Sequence, residues 1–440
     1  MSFPAKLSMS SAVVLFALAG CEPKAVTIDD AGTPPVTVAG CGAASEDLGL
    51  PEGICATVAA DHLGIARHIS FSPSGDLYVA VQTSRDGKVP GHALALRDAD
   101  HDGVFEQQQV FHDVGGSGID WHGGFLYFAE NTRVIRFALP DGQLAPTEAP
   151  VVIVSGLPDS GDHPAKAILV DDQNQLWVNI GSETNSCQAA NRMLESPGLD
   201  PCPELAVRAG LWRYDANTAN QVHATANRFA TGLRNATAID RRPEDGVLYG
   251  IINGRDQLHE NWPMKFSESQ EQTMPAEELF AITQNADYGW PYCFYNPMLQ
   301  KKVLAPEYGG DGMTEGRCAA TTAPLSFLPA HWSPLSMLFF RGDKLPERYR
   351  GGAFFANHGN RFIPDSANPP GYNVVFIPWN GAQPARTFDV FASNFAGSAR
   401  PLPDAAAHRP LGLAQSPDGA LYISDDWAGR IWRVTAMADQ

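Results

Sequence analysis

The amino-acid sequence predicts an all-β protein built from six similar four-stranded units, and three observations carry this prediction. A segment near the start of the chain, ISFSPSGDLYVA at residues 69–80, returns near its end as LGLAQSPDGALYIS at residues 411–424. Weaker copies lie between them, and the aromatic residues of the second strand in each copy are Tyr78, Tyr127, Trp177, Tyr249, Phe355 and Tyr422. A third apolar segment follows each copy, for example RVIRFAL or GLWRYDA. Four-stranded units of this kind are the blades of a β-propeller, here with six blades.

The two ends of the chain predict how the ring of blades closes. After RIWRV, at residues 430–434, no strand remains to serve as the outer strand of the last blade. The segment ICATVAA, at residues 54–60, precedes the first unit and has no unit of its own. We therefore expect this N-terminal strand to complete the last blade. With 44% hydrophobic residues, 41 glycines and 34 prolines, the chain can bury a large core and turn often.

The N-terminal segment MSFPAKLSMSSAVVLFALAGC is typical of an export signal, because one lysine precedes a short apolar run that ends in small residues. Its last four residues, Leu-Ala-Gly-Cys, resemble the lipobox of bacterial lipoproteins. The sequence thus predicts a lipoprotein signal peptide at residues 1–20, a flexible tether at 21–49 after a lipidated Cys21, and the propeller at 50–440. The expected location is the periplasmic side of the outer membrane or the cell surface, with membrane contact through the lipid only. Plain secretion is the alternative.

The other six cysteines form an even set, which suits disulfide bonds in an oxidising compartment. Their grouping along the chain favours three pairs, Cys41 with Cys55, Cys187 with Cys202, and Cys293 with Cys318. The sequence contains no CxxC or CxxCH motif, which argues against a zinc site and against covalently attached haem. A formal net charge of -18 disfavours a nucleic-acid partner, and an anionic ligand would need a local cluster of arginines or lysines.

Polar residues at the strand ends are predicted to meet at one mouth of the central channel. In a four-stranded blade, the connection from each outer strand to the next inner strand and the connection from the second to the third strand lie on the same face. The residues placed there are Arg67, Asp162, His163, Arg234, Asn235, Asn253, Gly254, Arg255, His331, His358, Arg361, His408 and Arg409. Histidines and arginines that converge from several blades indicate a site for an anionic ligand.

An acidic turn, RDADHDGVFE at residues 97–106, is predicted on the opposite face. Asp98, Asp100, Asp102 and Gly103 resemble the start of a calcium-binding loop, but Gln109 stands where such a loop carries its bidentate glutamate. We expect a tight acidic turn without a catalytic part. Whether it holds a structural Ca²⁺ stays open.

The motifs SGDHPAKAI, GLRNATAI, NGRDQL, NADYGWPYC, HWSPLSM, NHGNRF and RPLGLAQSPDGALYISDDWAGRIWRV, in this order between residues 50 and 434, resemble the quinoprotein sugar dehydrogenases. This group includes the soluble glucose dehydrogenase and the sorbosone and pyranose dehydrogenases. The resemblance implies pyrroloquinoline quinone (PQQ) and Ca²⁺ as cofactors, and oxidation of an aldose or a related sugar or aldehyde with hydride transfer from C1 to the quinone. Electrons would pass to a separate acceptor, a cytochrome or a quinone.

The resemblance also implies roles for single residues. His163 would be the general base and Asp162 would orient it, while Arg234 and Asn235 would contact the quinone oxygens. Arg409 would bind a cofactor carboxylate, and the backbone carbonyls of Gly254 and Arg255 would be Ca²⁺ ligands. The sequence departs from the soluble glucose dehydrogenase in two places, because His358 replaces a lysine and Leu411 a second arginine; Arg361 and Arg67 are the candidates to supply the missing positive charge.

Two other functions remain compatible with the sequence. One is a Ca²⁺-dependent lactonase on the same fold, although such a site needs more carboxylates and asparagines than this mouth offers. The other is a surface-anchored binding propeller without catalytic activity, since one fold hosts many functions. The departures at His358 and Leu411 favour this second alternative.

Overall fold

A computed structural model describes residues 48–360, 371–397 and 404–437. These residues form the predicted ring of six four-stranded antiparallel blades, and the inner strands of neighbouring blades lie against one another around the channel. The prediction of a six-bladed β-propeller is confirmed. No helix among the residues described is long and apolar enough to cross a membrane.

The strands are numbered here in chain order, each blade from its inner to its outer strand. Blade one consists of β2 (Ala66–Phe71), β3 (Leu77–Val81), β4 (His92–Arg97) and β5 (Gln107–His112). Blade two consists of β6 (Gly118–His122), β7 (Phe125–Ala129), β8 (Arg133–Ala138) and β9 (Val151–Ser155), with the short β13 (Gln221–Val222) at its edge. Blade three consists of β10 (Ile168–Val170), β11 (Gln175–Ile180), β12 (Gly210–Asp215) and β14 (Arg228–Thr231).

Blade four consists of β15 (Ala238–Arg241), β16 (Leu248–Ile252), β17 (Glu277–Ala281) and β20 (Ser326–Leu328). Blade five consists of β21 (Pro334–Phe339), β22 (Ala353–His358), β23 (Tyr372–Ile377) and β26 (Asp389–Ala392). Blade six consists of β27 (Pro410–Gln415), β28 (Leu421–Asp425), β29 (Ile431–Ala436) and β1 (Ile54–Ala60). Two hairpins lie outside the blades, β18 (Cys293–Asn296) with β19 (Lys301–Leu304) and β24 (Trp379–Asn380) with β25 (Gln383–Pro384).

Within residues 48–360, 371–397 and 404–437 the helices are few and short. Two α-helices lie in the insertion between β16 and β17, α1 (Leu258–Asn261) and α2 (Glu268–Thr273). Ser267 and Gln270 form a capping box that fixes the start of α2. The 3₁₀ turns are Pro203–Ala206, Thr225–Asn227, Pro306–Tyr308, Gly316–Ala320 and Glu347–Tyr349.

The N-terminal strand closes the ring as the sequence predicts. β1 pairs antiparallel with β29, so that Ile54 lies opposite Ala436 and Val58 opposite Trp432. The chain packs against the propeller from Leu48 onward, two residues before the predicted domain boundary at residue 50. Leu48 is buried in the core between blades five and six, and the backbone of Gly49 exchanges hydrogen bonds of 3.1 and 3.0 Å with Ser393. The predicted signal peptide and Cys21 lie outside the described residues.

The core consists of apolar layers between neighbouring blades, which explains the aromatic repeat in the sequence. Tyr127 of blade two packs with Trp212 of blade three, and Tyr249 of blade four packs with Phe339 of blade five. Each repeated aromatic residue of the second strands is at most 6% exposed. One aromatic side chain per unit therefore fills the space between two blades.

Two of the predicted disulfides are confirmed, and both lie in insertions between strands. Cys187 and Cys202 join two parts of the insertion between β11 and β12, and Cys293 and Cys318 join the ends of the insertion that contains β18 and β19. Cys41 lies outside the described residues, so its pairing with Cys55 stays a prediction.

Candidate functional site

A chain of buried amides connects three blades at the predicted mouth. Asn179, from β11, donates to Asn235 Oδ1 at 3.3 Å, and Asn235 Nδ2 donates to Asn253 Oδ1 at 3.2 Å. Asn253 in turn donates to the carbonyl of Pro334 at the start of β21, at 3.2 Å. Because each amide satisfies the next, the strand ends of blades three, four and five are held in fixed positions around the channel.

His163 lies in this mouth with a defined tautomer. Its Nδ1 is 3.0 Å from the carbonyl oxygen and 3.0 Å from the hydroxyl oxygen of Ser182. A carbonyl can only accept, so Nδ1 carries the proton, and the Ser182 hydroxyl is free to accept because it donates to the carbonyl of Thr184 at 2.6 Å. The basic lone pair of the imidazole is therefore on Nε2.

The close approach of His163 and Asn235 requires a glycine between them. A side-chain carbon at Gly181 would lie 2.5 Å from Cβ of His163 and 2.9 Å from Oδ1 of Asn235. Gly181 follows β11 directly, so the end of this strand provides the space for both residues.

Burial and a neighbouring positive charge keep the imidazole neutral. Removal from water lowers the pKa of His163, and the guanidinium of Arg234 lowers it further, to about 3. The carboxylates of Asp162 and Asp256 act in the opposite direction. At neutral pH the side chain is therefore in the form that accepts a proton.

Asp162 does not hold the imidazole of His163 as predicted. Its carboxylate accepts a hydrogen bond from Nε of Arg192 at 2.9 Å and a longer one from Asn191 at 3.4 Å. Ser182 takes the orienting position instead. The physical reason is that Arg192 offers Asp162 a charged donor, which makes a stronger hydrogen bond than a neutral imidazole does. Asp162 therefore acts on His163 through its charge.

Asp256 is the carboxylate on which the cations of this part of the mouth converge. It accepts from Nη2 of Arg192 at 3.2 Å and from Nη2 of Arg234 at 3.3 Å, and it lies 3.7 Å from Nδ1 of His331. Burial alone would raise the pKa of Asp256, but the charges of Arg234, His331 and Arg192 hold it well below 3.8. Asp256 also raises the pKa of His331 against the effect of burial.

Arg234 is almost completely buried, at 3% exposure, and its donors are well occupied. Nε donates to the carbonyl of Asn185 at 3.0 Å, and Nη2 donates to the side-chain oxygen of the same residue at 2.9 Å. The guanidinium is thus fixed in place before any ligand binds.

A second cationic cluster surrounds Asp426, which follows β28. Asp426 accepts from Nη1 of Arg67 at 2.8 Å and from Nε2 of His358 at 2.6 Å. Arg409 reaches the same cluster through a 3.0 Å hydrogen bond from Nε to the carbonyl of His358. Burial opposes ionisation of Asp426, but His358 and Arg67 lower its pKa. The structure therefore brings together Arg67, His358 and Arg409, which were all predicted to lie at the cofactor. Arg361, predicted for the same place, lies outside the described residues.

Gly254 and Arg255 lie at the end of β16, as predicted for the same mouth. The backbone N–H of Gly254 donates to Glu277 Oε2 at 2.6 Å. The side chain of Arg255 forms a buried ion pair with Glu307, at 2.5 and 2.6 Å from its two oxygens. This side chain joins two insertions, so only the backbone of Arg255 is left for the predicted Ca²⁺ site.

Sequence reasoning missed four residues of these clusters: Asp256, Asp426, Ser182 and Arg192. Asp256 directly follows Arg255 in the motif NGRDQL, and Asp426 lies in SDDWAG, so both stood within recognised motifs. Both acids could have been predicted from the sequence, because a buried cluster of arginines needs carboxylates to balance its charge. Arg192 lies in an insertion without a counterpart in the other blades, which leaves it no repeat to align with.

The acidic turn on the opposite face contains one more carboxylate than predicted. Asp98, Asp100, Asp102 and Glu106 can bring one oxygen each to within 4.8 Å of the others. The fourth carboxylate, Glu106, lies three residues before Gln109, the position at which the spacing of a calcium-binding loop predicts the last ligand. The turn joins β4 to β5, so it lies away from the mouth, as expected.

These features define a propeller with a cationic polar mouth and a neutral histidine in it. A family model described as TrAA12-like matches residues 48–437, and the chain belongs to this family. A pyrroloquinoline quinone-dependent sugar dehydrogenase of Hypocrea jecorina is 23% identical over 356 residues, which cover 74% of each protein. The resemblance stated from the sequence is confirmed.

Solved structures agree on the fold. The holo PQQ domain of a pyranose dehydrogenase from Coprinopsis cinerea has a TM-score of 0.70 and 19% identity, and covers 88% of this chain and 97% of its own. A calcium structure of a family AA12 enzyme from Trichoderma reesei gives the same TM-score and identity, and covers 88% of this chain and 96% of its own. The chain spans 60% of the length of an uncharacterised Borreliella burgdorferi protein, to which it is 24% identical over 284 residues, 62% of this chain.

Proposed function

We propose that this protein oxidises an aldose or a related sugar or aldehyde at the channel mouth, with PQQ and Ca²⁺ as cofactors. The observation that carries the proposal is His163, a neutral imidazole with Nε2 as its basic atom, beside the fixed guanidinium of Arg234. The relative from Hypocrea jecorina is named as a PQQ-dependent sugar dehydrogenase, and neighbours in fold are named as holo PQQ and calcium structures.

The residues of the mouth fit a planar anionic quinone. PQQ carries carboxylates and quinone oxygens, and Arg67, His358 and Arg409 form one cluster of donors while Arg234 and Asn235 belong to the other. Among the hydrogen bonds of the described residues, Arg409 donates only through its backbone N–H and Nε, so its two terminal nitrogens are available to a carboxylate. The backbone carbonyls of Gly254 and Arg255 are oxygen donors of the type that Ca²⁺ prefers.

In the proposed reaction, bound PQQ supplies the hydride acceptor and Ca²⁺ the Lewis acid. His163 Nε2 removes the proton of the anomeric hydroxyl, which converts the imidazole into an imidazolium. The negative charges of Asp162 and Asp256 stabilise this cation, as their effect on the pKa of His163 indicates. Arg234 would stabilise the negative charge that the hydride acceptor gains. Its hydrogen bonds to Asn185 hold the guanidinium in one position, so it need not reorganise during hydride transfer.

Reconstitution tests the proposal. Protein loaded with PQQ and Ca²⁺ should reduce an artificial electron-acceptor dye when offered a panel of aldoses and related carbonyl sugars, and a chelator should abolish the reaction until Ca²⁺ is returned. Bound quinone without dye reduction on a broad sugar and alcohol panel would contradict the dehydrogenase. Lactone hydrolysis with Ca²⁺ alone would support the lactonase alternative.

We also propose that the protein is exported and anchored by a lipid on Cys21, from the lipobox-like sequence at residues 18–21. Expression in a Gram-negative host should place the protein in the membrane fraction, and Cys21→Ser should release it in soluble form. If the unmodified protein were as soluble as the Cys21→Ser variant, plain secretion would be favoured.

A further inference from the structure

Lys166 is a completely buried lysine that follows His163 by three residues. Its Nζ donates to the carbonyl of Pro158 at 2.8 Å and to the carbonyl of Pro164 at 2.5 Å. One of these carbonyls precedes His163 in the chain and the other follows it. The side chain of Lys166 therefore closes a ring of backbone that contains both Asp162 and His163.

The backbone immediately around His163 has no other hydrogen bond among the described residues. Residues 163–165 belong to no strand, and they take part in none of the backbone–backbone hydrogen bonds described. Pro164 lacks an N–H, so its carbonyl is the one hydrogen-bonding group of its main chain. That carbonyl is the group that Lys166 binds. The position of His163 thus depends on the ammonium of Lys166 more than on the secondary structure.

The part of the segment before His163 is held by other elements. The backbone N–H of Asp162 donates to the carbonyl of Glu183 at 2.8 Å. Arg208 donates to the carbonyl of Ser160 at 3.0 Å and to its hydroxyl at 2.7 Å. These contacts end at Asp162, so they fix the approach to His163 but not the chain that follows it.

The charge of Lys166 has no direct counter-ion among the residues that the structure describes, because both hydrogen bonds of Nζ go to neutral carbonyls. Burial and the guanidinium of Arg208 lower the pKa of Lys166 to about 7, although Asp159 acts in the opposite direction. The ammonium and the neutral amine each carry enough N–H donors for both carbonyls. A buried charge that is not paired adds little stability, so the contribution of Lys166 lies in where it holds the two carbonyls.

We propose that Lys166 is a positioning residue for His163, because its Nζ fixes the backbone carbonyls on both sides of the imidazole-bearing residue. This inference rests on the proposed function, in which Nε2 of His163 removes a proton from the substrate. Ser182 determines which ring nitrogen carries the proton, whereas Lys166 determines where the backbone places the ring. Proton transfer needs a short and aligned hydrogen bond, so a small displacement of the base lowers the rate strongly.

Lys166→Met and Lys302→Met form a matched pair of substitutions for the test. Lys302 is also buried, at 5% exposure, and its Nζ donates to the carbonyl of Tyr288, but it pairs with the carboxylate of Glu278 at 2.8 Å. Lys302→Met leaves that carboxylate buried without its cation, so the urea midpoint should fall by about 1 M. Lys166→Met leaves no carboxylate unpaired in this way, and its midpoint should fall by less than half as much.

Two further measurements report on His163 itself. With isotope-labelled histidine, the Nδ1–H signal of His163 is identified by its absence from His163→Gln. This signal should be sharp in the unmodified protein and in Lys302→Met, whereas in Lys166→Met the proton should exchange with water at least about tenfold faster, because the segment opens more easily. With PQQ and Ca²⁺ bound, the turnover number of Lys166→Met should fall about tenfold to hundredfold while KM stays within about twofold.

An unchanged Nδ1–H signal or an unchanged turnover number in Lys166→Met would overturn the positioning role. Failure of Lys166→Met to fold under conditions in which Lys302→Met folds would overturn it too, because Lys166 would then be a structural residue. Parallel losses of midpoint and turnover number in the two variants have the same meaning. If the unmodified protein oxidises no sugar, the proposed function fails, and the Nδ1–H signal still decides whether Lys166 positions His163.

Discussion

At the scale of single residues, the hydrogen-bond partners of His163 determine its tautomer, and nearby charges affect its pKa. Ser182 offers His163 two acceptors and no donor, because its hydroxyl proton is committed to Thr184. This arrangement determines the tautomer without a carboxylate in contact with the ring. Asp162 and Asp256 remain close enough to affect the pKa of His163, and so they can stabilise its protonated form.

Replacement of the proposed base tests this arrangement. His163→Gln should lower the turnover number by about 10²–10⁴, because a general base contributes that much, and should leave PQQ affinity nearly unchanged. Dye reduction measures the first quantity and an absorption titration with PQQ the second. Undiminished turnover would show that His163 is not the base, and a parallel loss of PQQ affinity would show that it binds the cofactor.

The charge of Asp256 is expected to matter more for stability than any other single charge in this cluster. Asp256→Asn keeps the shape but leaves Arg234 and His331 buried without their common counter-ion. Because breaking a buried ion pair from one side is costly, the free energy of unfolding should fall by about 3–5 kcal/mol. Urea denaturation measures this loss, and a change of less than about 1 kcal/mol would mean that other acids balance the cluster.

At the scale of elements, the blades could be predicted because each repeats one pattern, whereas the insertions could not. The second strands were located by their buried aromatic residues, and the face on which the polar strand ends meet followed from the alternation of strands. The insertion after β11 has no equivalent in other blades, so nothing in the sequence indicated that Arg192 would reach Asp162. The partners of Asp162 and His163 were therefore misassigned, although both residues lie where they were expected.

Blade six allows a matched pair of tryptophan substitutions. Trp432 in β29 is completely buried and packs edge-on against Phe395, whereas Trp427 is 49% exposed. Trp432→Ala should lower the free energy of unfolding by about 3–5 kcal/mol through loss of packing and a remaining cavity. Trp427→Ala should change it by less than about 0.5 kcal/mol. Similar values in denaturant titrations of the two variants would contradict the described packing of β29.

At the scale of the whole molecule, stability depends on pH through two kinds of buried group: acids whose pKa is raised and histidines whose pKa is lowered. Burial raises the pKa of Asp120 and of Glu277 to about 7 each, so these acids favour the folded state at lower pH. Burial lowers the pKa of His163, His68 and His358, and these groups favour the folded state at higher pH. Between about pH 5 and 6.5, a rise in pH lowers the free energy of unfolding through the two acids and raises it through the histidines.

The expected result is a broad maximum of stability at mildly acidic pH with a steep loss below it. Below about pH 4 the unfolded chain protonates Asp256 and Asp426, whose pKa values are lowered in the folded state. His163, whose pKa is lowered to about 3, still favours the neutral form there. Each such group contributes a slope of about 1.4 kcal/mol per pH unit. Urea midpoints at pH 3.5, 5, 6 and 7 measure the profile. A stability that rises steadily as the pH falls to 3.5 would contradict these shifts.

Closure of the ring by β1 has a consequence for the order in which the protein can fold. Thr57 pairs with Arg433, so β1, which is synthesised before all the other strands of the six blades, finds its partner only after those strands have been synthesised. Until then blade six lacks its outer strand, and the edge of β29 is open to strands of other chains. Chaperones that bind extended segments are therefore expected to associate longest with residues 54–60. Completion of the last blade should be the slow step of maturation, because it forms the contacts most distant in sequence.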